Sequence, residues 1–242
     1  NWISQTMGVT LDPDAMFDVQ IKRIHEYKRQ LMNLLETVAL WNEMRDNPNG
    51  DGTPRVKIFG GKAAPGYFVA KDIIRLINDV ARTVNNDALV GDKLRVLFVE
   101  NYGVSTSEKM VAASEISEHI STAGMEASGT SNMKFCLNGS LIIGTMDGAN
   151  VEIREEVGDD NIFIFGLNAE EVIQVRDGGY DPRQVCNHNP RLRQVLEAVS
   201  SGVFNPEEPH RYQDVINSLI YTDYYLLLKD FESYAECQQR VS

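Results

Sequence analysis

The sequence predicts an α/β domain built on a doubly wound, mostly parallel sheet, followed by a helical tail. Short apolar strand patterns alternate with helical patterns up to about residue 176, which is typical of this class. A strand, a glycine turn and a helix follow one another over residues 56–84, as at the start of a βαβ unit. We therefore divide the chain into a lead-in over 1–16, a core over 17–180 and a helical tail over 181–242.

Composition excludes several classes of protein. The chain has 242 residues and a net charge of −12, which argues against a nucleic-acid or anionic-membrane binder. No apolar run approaches the length of a membrane span. The three cysteines and four histidines lack ligand spacing, so we predict no metal site and expect a reducing compartment, the cytoplasm or a plastid. Because the chain begins at Asn1, we expect a fragment of something longer.

The first predicted element is a long helix over residues 17–45, entered at the Asp-Pro-Asp of 12–14. The stretch contains no Gly or Pro, and its apolar residues recur at helical spacing. It also carries four cations within eight residues: Lys22, Arg23, Lys28 and Arg29. These cations form either a solvated helical face or a binding site for a multiply charged anion.

The next elements alternate along the chain. We predict strands at 56–59, 94–99, 116–120, 141–145 and 162–166, and helices at 67–84, 105–114, around residue 134 and after residue 150. The tail is predicted to hold helices over 190–201, 211–220 and 223–240. Lys62, Tyr102 and the stretch 126–134 each follow a strand, so we expect them to meet at one edge of the sheet.

The stretch 121–135 is almost free of bulky side chains until it reaches Lys134. Gly124 and Gly129 can adopt turn conformations closed to other residues. Thr130 or Ser131 can begin a helix whose N–H groups attract an anion, with Lys134 one turn further on. Such an anion cradle with a nearby lysine suits a phosphorylated aldehyde; the alternative is a tight loop followed by a solvated lysine.

Glu126 is the second candidate in this stretch. A carboxylate beside a row of small residues with accessible N–H groups can grip sugar hydroxyls, whereas the alternative is an exposed loop acid. Other chemistries lack their motifs. The S-x-x-K at 131–134 has no S-D-N or K-T-G partner, there is no G-x-S-x-G, and the glycines of 60–66 fit neither a Walker A loop nor G-x-G-x-x-G.

Five stretches, 17–31, 60–67, 126–135, 144–152 and 162–166, resemble the glycogen/starch α-glucan phosphorylase family. The match runs from about residue 14, weakens after residue 177 and covers the carboxyl-terminal part of the family's chain. The resemblance implies one half of a two-domain, glycosyltransferase-B-type fold in which two Rossmann-like domains face each other across a cleft. It also implies transfer of a glucosyl unit from an α-1,4-glucan to inorganic phosphate, releasing glucose 1-phosphate, in an enzyme that is a homodimer. The fragment alone is expected to be inactive, because the missing amino-terminal domain supplies the other wall of the cleft.

The resemblance also implies the roles of individual residues. Lys134 would form a Schiff base with pyridoxal 5′-phosphate, whose phosphate, rather than its ring, would assist proton transfer to the glycosidic oxygen. Lys22, Gly129, Thr130 and Ser131 would hold that phosphate, although residue 131 is Ser where many members have Gly. Arg23 and Lys28 would bind the substrate phosphate. The glucosyl hydroxyls would contact Glu126, Ala127, Ser128 and Gly129. Tyr27 and Tyr102 would line the pocket.

Two alternative hypotheses, each for a different class of protein, are consistent with the same local sequence features. One is a non-catalytic module that binds sugar phosphates or other anions, and the other is a nucleotide-dependent transferase of similar architecture. Neither uses a lysine-linked cofactor, so the chemistry at Lys134 distinguishes both from a phosphorylase.

Overall fold

The computed structural model describes residues 2–241. Its six strands are β1 Met16–Ile21, β2 Arg55–Gly60, β3 Leu94–Val99, β4 Ile116–His119, β5 Leu141–Gly144 and β6 Phe163–Ile164. Eleven α-helices of the described residues surround or extend the sheet: α1 Trp2–Met7, α2 Gln30–Asp46, α3 Phe68–Asn85, α4 Val104–Ala112, α5 Ser131–Leu137, α6 Asn150–Val157, α7 Ala169–Asp177, α8 Pro182–His188, α9 Pro190–Ser200, α10 Gln213–Tyr221 and α11 Leu227–Val241.

The sheet confirms the predicted fold class. All five strand pairs are parallel, in the order β3-β2-β1-β4-β5-β6. The direction of winding reverses between β1 and β4, and the chain leaves both strands at the same edge. In doubly wound sheets the crevice at such a reversal is where ligands bind. The topology therefore places a candidate site beyond Ile21 and His119.

The long helix predicted over 17–45 is wrong in its first half. Met16–Ile21 is the strand β1, Glu26–Lys28 is a short 3-10 turn, and α2 begins only at Gln30. Asp18 and Gln20 are polar, as residues on the exposed face of a helix usually are, but both are buried. Their partners come from elsewhere in the chain: Asp18 lies 2.7 Å from Lys57 Nζ, and Gln20 accepts a hydrogen bond from Asn33. The expected helix start at 12–14 is a turn that precedes β1.

The other local predictions agree with the structure more closely. The strand, glycine turn and helix over 56–84 are β2 and α3, and the strands predicted at 94–99, 116–120 and 141–145 are β3, β4 and β5. The strand expected at 162–166 is reduced to two residues. In the tail, α9 and α11 pack against α2 and bury the apolar side chains of that layer. Among residues 2–241, none of the helices has the length and apolar character needed to cross a membrane.

A buried layer of charged side chains lies between the sheet and this helical layer. The ammonium of Lys57 is fully buried and lies 2.7 Å from Asp18 and 3.0 Å from Glu36. Glu118 is also fully buried and accepts a hydrogen bond of 2.5 Å from Gln238. Burial and the neighbouring Asp18 carboxylate raise the pKa of Glu118 well above its usual range. Protonation of Glu118 is therefore favoured relative to an exposed glutamate, which reduces the negative charge that this layer must balance.

Candidate active site

A cavity of about 490 Å³ opens at the carboxyl ends of β1 and β4. Its walls are the loop after β1, the loop after β4, the first turn of α5 and Tyr102. Most of the residues predicted for the site line it: Lys22, Arg23, Tyr27, Lys28, Tyr102, Glu126, Ser128, Gly129, Thr130, Ser131 and Lys134. Ala127 and Lys62 do not line this cavity. The structure thus brings together residues that lie more than a hundred positions apart in the sequence.

Lys22 occupies the loop that leaves β1, not the solvent-directed face of a helix, and its side chain is half-buried. Its Nζ donates a hydrogen bond of 2.6 Å to the Glu118 carbonyl oxygen and lies 3.1 Å from His119 Nδ1. Burial, followed by the charge of Lys28, lowers the pKa of Lys22 to about 7. An anion in the cavity would therefore favour proton uptake at Lys22.

Arg23 contrasts with Lys22, although it is the next residue. Its side chain is exposed and makes no hydrogen bond or ion pair with any other residue of the range 2–241. It lines the same cavity. The guanidinium is therefore available to an anion as a two-pronged donor without first breaking a contact within the chain.

Lys28 and Glu126 form an ion pair across the cavity. The Tyr27 hydroxyl donates a hydrogen bond of 3.2 Å to the same Glu126 oxygen, and Lys28 Nζ lies 4.8 Å from the centre of the Tyr27 ring. Burial alone would lower the pKa of Lys28, but the hydrogen bonds and charge of its neighbours outweigh that effect and raise it. The residues predicted to bind a phosphate and a sugar are thus in direct contact.

Arg29, the fourth cation of the sequence cluster, does not belong to the cavity. It has a left-handed backbone, with φ of 56°, and its side chain is fully buried. The guanidinium lies 2.7 Å from Asp230 and donates hydrogen bonds to the carbonyl oxygens of Ile120 and Ser121. Arg29 therefore joins α11 to the end of β4, and its charge is already compensated.

The loop after β4 is shaped by Asp147, which the sequence analysis did not identify. One carboxylate oxygen accepts from the N–H groups of Gly124 and Gly148, at 2.9 and 3.1 Å. The other accepts from the Ser121 hydroxyl and the Glu126 N–H, at 2.8 and 2.9 Å. The one sequence signal was an Asp-Gly pair directly after a predicted strand. Asp147 anchors the loop from beneath and sets the position of Glu126.

At Gly148, the backbone that follows β5 packs closely against the backbone of the loop after β4. The φ of Gly148 is +53°, and a Cβ at this position would collide with the Ser128 carbonyl oxygen. That oxygen accepts a hydrogen bond of 2.7 Å from Ala149 N–H. With the loop held in this way, the N–H groups of residues 127–131 donate to no acceptor within 2–241 and are available to a ligand.

Helix α5 begins where the sequence predicted, after Thr130, although the Thr130 side chain makes no capping hydrogen bond. The helix is held by Asn132, which is buried and donates to Asn150 at 2.9 Å. Asn150 in turn donates to the His119 and Thr145 carbonyl oxygens. Lys134 is exposed at the cavity and has no hydrogen bond or ion pair through its amine in the part of the chain that the structure describes.

His119 is another cavity residue that the sequence analysis missed. Only 7% of its surface is exposed, and its ring packs edge-on against Phe135 with 5.7 Å between ring centres. Burial and the charges of Lys22 and Lys28 lower the pKa of His119 well below its ordinary value, so the ring is neutral. Its sequence context offered no clue, because the four histidines show no spacing that relates them to one another.

The arrangement can bind two anionic groups and react with a carbonyl compound. Arg23 and Lys134, whose side chains have no ion-pair partner among the described residues, lie with the half-buried Lys22 around one cavity. The N–H groups of 127–131, which have no acceptor in the same range, lie beside them. Within residues 2–241, no three His, Cys, Asp or Glu side chains are grouped so as to hold a metal ion. An amine, a guanidinium and a row of backbone N–H groups around one cavity are suited to bind a phosphorylated carbonyl compound.

Comparison with known proteins gives one consistent result. The family model described as Carbohydrate phosphorylase matches residues 1–242. The chain is 50% identical over 241 residues to the muscle form of glycogen phosphorylase from Oryctolagus cuniculus, and 50% identical to the muscle form from Homo sapiens. It is 52% identical over 240 residues to glycogen phosphorylase from Haemophilus influenzae. These alignments cover 99–100% of this chain but 29% of each relative, so the chain spans less than a third of their length.

Proposed function

Because the chain belongs to the carbohydrate phosphorylase family, we propose that it forms the cofactor- and phosphate-binding half of an α-1,4-glucan phosphorylase. The complete enzyme would transfer a glucosyl unit from the end of a storage glucan to inorganic phosphate and release glucose 1-phosphate. One observation carries the proposal: Lys134, the cationic loop at 22–28 and the loop at 126–131 converge on a single cavity. Each of the three supplies a different part of the chemistry that this reaction needs.

Pyridoxal 5′-phosphate is the proposed cofactor, and the residues present fit it. The Lys134 amine lines the cavity without a partner in 2–241 and would hold the cofactor. Lys22 and the backbone of Gly129, Thr130 and Ser131 would hold its phosphate, and Tyr102 lines the same pocket. When bound, the cofactor supplies a phosphate group that assists proton transfer. The volume of about 490 Å³ lies within the usual range for a cofactor site.

The substrate phosphate would bind to Arg23 and Lys28. Arg23 offers its planar fork, while Lys28 acts as a point charge at the edge of the sugar site. Two phosphates placed side by side repel each other, and this cost falls when cations surround them. Lys22, with a pKa of about 7, would gain a proton as anions enter and would thereby add one further charge. The cations thus lower the cost of placing a protonated substrate phosphate near the glycosidic oxygen.

The glucosyl unit would bind to Glu126 and to the N–H groups of Ala127, Ser128 and Gly129, with Tyr27 against it. The carboxylate of Glu126 can accept from sugar hydroxyls, while the adjacent N–H groups can donate to them. Asp147 holds the backbone of this loop through the Glu126 N–H. The sugar site would therefore be rigid before the substrate arrives, which reduces the entropic cost of orienting it.

Reduction with borohydride tests the cofactor assignment. In the full-length protein reconstituted with pyridoxal 5′-phosphate, reduction followed by peptide mass mapping should place the label on Lys134. Lys62 is the control, because it is exposed but lies outside the cavity. A label on another lysine, or no label, would refute the assignment. Phosphate binding without a label at Lys134 would instead favour a non-catalytic anion-binding module.

The remaining proposals concern the whole enzyme. Since the chain spans 29% of its relatives' length, we propose that residues 1–242 alone do not carry out phosphorolysis. From membership of the family, we also propose that the complete enzyme is a homodimer. Formation of glucose 1-phosphate by the isolated chain, measured with a coupled assay, would contradict the first proposal. The three cysteines are free thiols, as a reducing compartment maintains them, so we propose a cytoplasmic or plastid location.

A further inference from the structure

The contact between Lys22 and His119 joins two loops that are 97 residues apart in the sequence. Lys22 Nζ lies 3.1 Å from His119 Nδ1 and 2.6 Å from the Glu118 carbonyl oxygen. A lysine ammonium has three protons and no lone pair. Two of its protons are directed to these two acceptors, which leaves one for a ligand in the cavity that Lys22 and His119 both line.

The geometry sets the protonation state of the histidine. When Lys22 is an ammonium, Nδ1 must accept, so the ring is neutral and carries its proton on Nε2. Nε2 is buried and has no hydrogen-bond partner among residues 2–241. A protonated ring would turn an N–H toward the lysine and would add a second unpaired donor. A carbonyl on one side and a neutral imidazole on the other therefore hold the ammonium in a fixed direction.

We propose that His119 is a positioning residue that orients the Lys22 ammonium toward a bound phosphate group. This inference rests on the proposed function, in which Lys22 holds the phosphate of pyridoxal 5′-phosphate. His119 would make no contact with the phosphate itself. It acts by accepting from Lys22, so that the third proton of the ammonium points into the cavity.

The charges around this pair are consistent with that role. Lys28 and Glu126 face Lys22 from across the cavity, and Glu118 lies on the adjoining strand. Burial, Lys22 and Lys28 together lower the pKa of His119 well below its ordinary value. The imidazole is therefore uncharged when Lys22 is an ammonium, and Lys22, whose pKa is about 7, gains charge when an anion binds.

The test compares two substitutions of matched shape in the full-length apoprotein. His119→Asn retains an acceptor at the position of Nδ1, whereas His119→Leu presents a methyl group there. Both variants lose the ring contact with Phe135, so packing affects them alike. The probes are pyridoxal 5′-phosphate and pyridoxal, which differ only in the phosphate. The change in the ratio of their affinities between variants measures the phosphate contact, because the cyclisation of free pyridoxal to its hemiacetal is the same for every variant.

We expect His119→Leu to reduce the preference for pyridoxal 5′-phosphate over pyridoxal about ten-fold. This factor corresponds to the loss of one hydrogen bond to a charged group. His119→Asn should retain the preference within about two-fold of the unsubstituted protein, given the same hydrogen bond. His119→Leu should also shift the ³¹P resonance of the bound phosphate, and His119→Asn should restore it. In a Lys22→Met background, His119→Leu should cause no further loss.

Two results would overturn the inference. One is an equal loss in the Asn and Leu variants, which would assign the effect to packing against Phe135. The other is an undiminished effect of His119→Leu in the Lys22→Met background, which would separate the two residues. Failure of the proposed function would look different, because the unsubstituted protein itself would then show no preference for the phosphorylated probe and no label at Lys134.

Discussion

Replacing Arg29 and Arg23 by methionine, one at a time, should show that Arg29 stabilises the fold and that Arg23 binds a ligand. The two arginines lie six residues apart and receive the same substitution. Arg29 is fully buried, with its guanidinium 2.7 Å from Asp230 and 2.7 Å from the Ile120 carbonyl oxygen. Arg29→Met would leave the Asp230 carboxylate buried without its counter-ion. Arg23→Met would remove a side chain that is exposed and has no partner within residues 2–241.

The magnitudes follow from these environments. Removing one partner of a buried ion pair costs about 3–5 kcal/mol in the free energy of unfolding. Arg29→Met should therefore also lower the melting temperature of the full-length protein. Arg23→Met should change the free energy of unfolding by no more than about 0.5 kcal/mol, as exposed substitutions usually do. Affinity for inorganic phosphate should respond in the opposite order and fall mainly in Arg23→Met.

Urea unfolding followed by circular dichroism measures the first quantity, and calorimetric titration with phosphate measures the second. Both are done on the full-length protein, with phosphate binding measured well below the melting temperature of the less stable variant. The double variant Arg29→Met/Asp230→Leu should recover part of the lost stability, because it leaves no buried charge unpaired. If Arg29→Met lost less than about 1 kcal/mol and weakened phosphate binding as much as Arg23→Met, the division of roles would be wrong.

Three further predictions follow from the site and the buried charge layer. Because the pKa of Lys22 is about 7 in the apoprotein and a bound anion raises it, affinity for sulfate, an anion whose charge does not change in this range, should fall as pH rises from 7 to 8.5. Lys22→Met should flatten this dependence in titration calorimetry. Burial and a neighbouring carboxylate raise the pKa of Glu118, so the native state keeps a proton that the unfolded chain releases above about pH 4.5. Glu118→Gln should therefore gain stability relative to the unsubstituted protein as pH rises from 4 to 7. If the difference in the free energy of unfolding, measured with urea, did not change with pH, the raised pKa would be refuted. Asp147→Asn should replace one of the two carboxylate oxygens by a donor, so either Gly124 N–H or Glu126 N–H loses its acceptor; hydrogen exchange of that amide should speed up at least ten-fold while distant helices stay protected.

The local patterns of the chain predicted most of its elements. The strand β3 was predicted from its apolar run, and the turn between β2 and α3 was predicted from its glycines. Both predictions succeed because periodicity and turn chemistry depend on neighbours in the sequence. The same holds for the small-residue loop that ends at Lys134. The failure at β1 has an equally clear cause. Asp18 and Gln20 are polar residues on a buried strand, and their partners Lys57 and Asn33 cannot be inferred from the segment itself.

The candidate site divides in a similar way. Lys134 and the loop at 126–131 were predicted from residue types that lie side by side. His119 and Asp147 were not, because each acts on a distant loop: His119 contacts Lys22, and Asp147 accepts hydrogen bonds from the loop that holds Gly124 and Glu126. Neither residue type is unusual where it stands in the sequence. Their importance arises from the strand order, which places the ends of β1, β4 and β5 next to one another.

The cationic cluster shows most directly what each level of description decides. The sequence by itself determined that four cations lie within eight residues, and that an anion or solvent must compensate them. The tertiary structure decided how each is compensated: Arg29 by a buried carboxylate, Lys28 by Glu126, Lys22 by a carbonyl oxygen and a neutral histidine. Arg23 retains a free guanidinium within the described range. A charge removed from water requires a partner, and the fold selects that partner from any part of the chain.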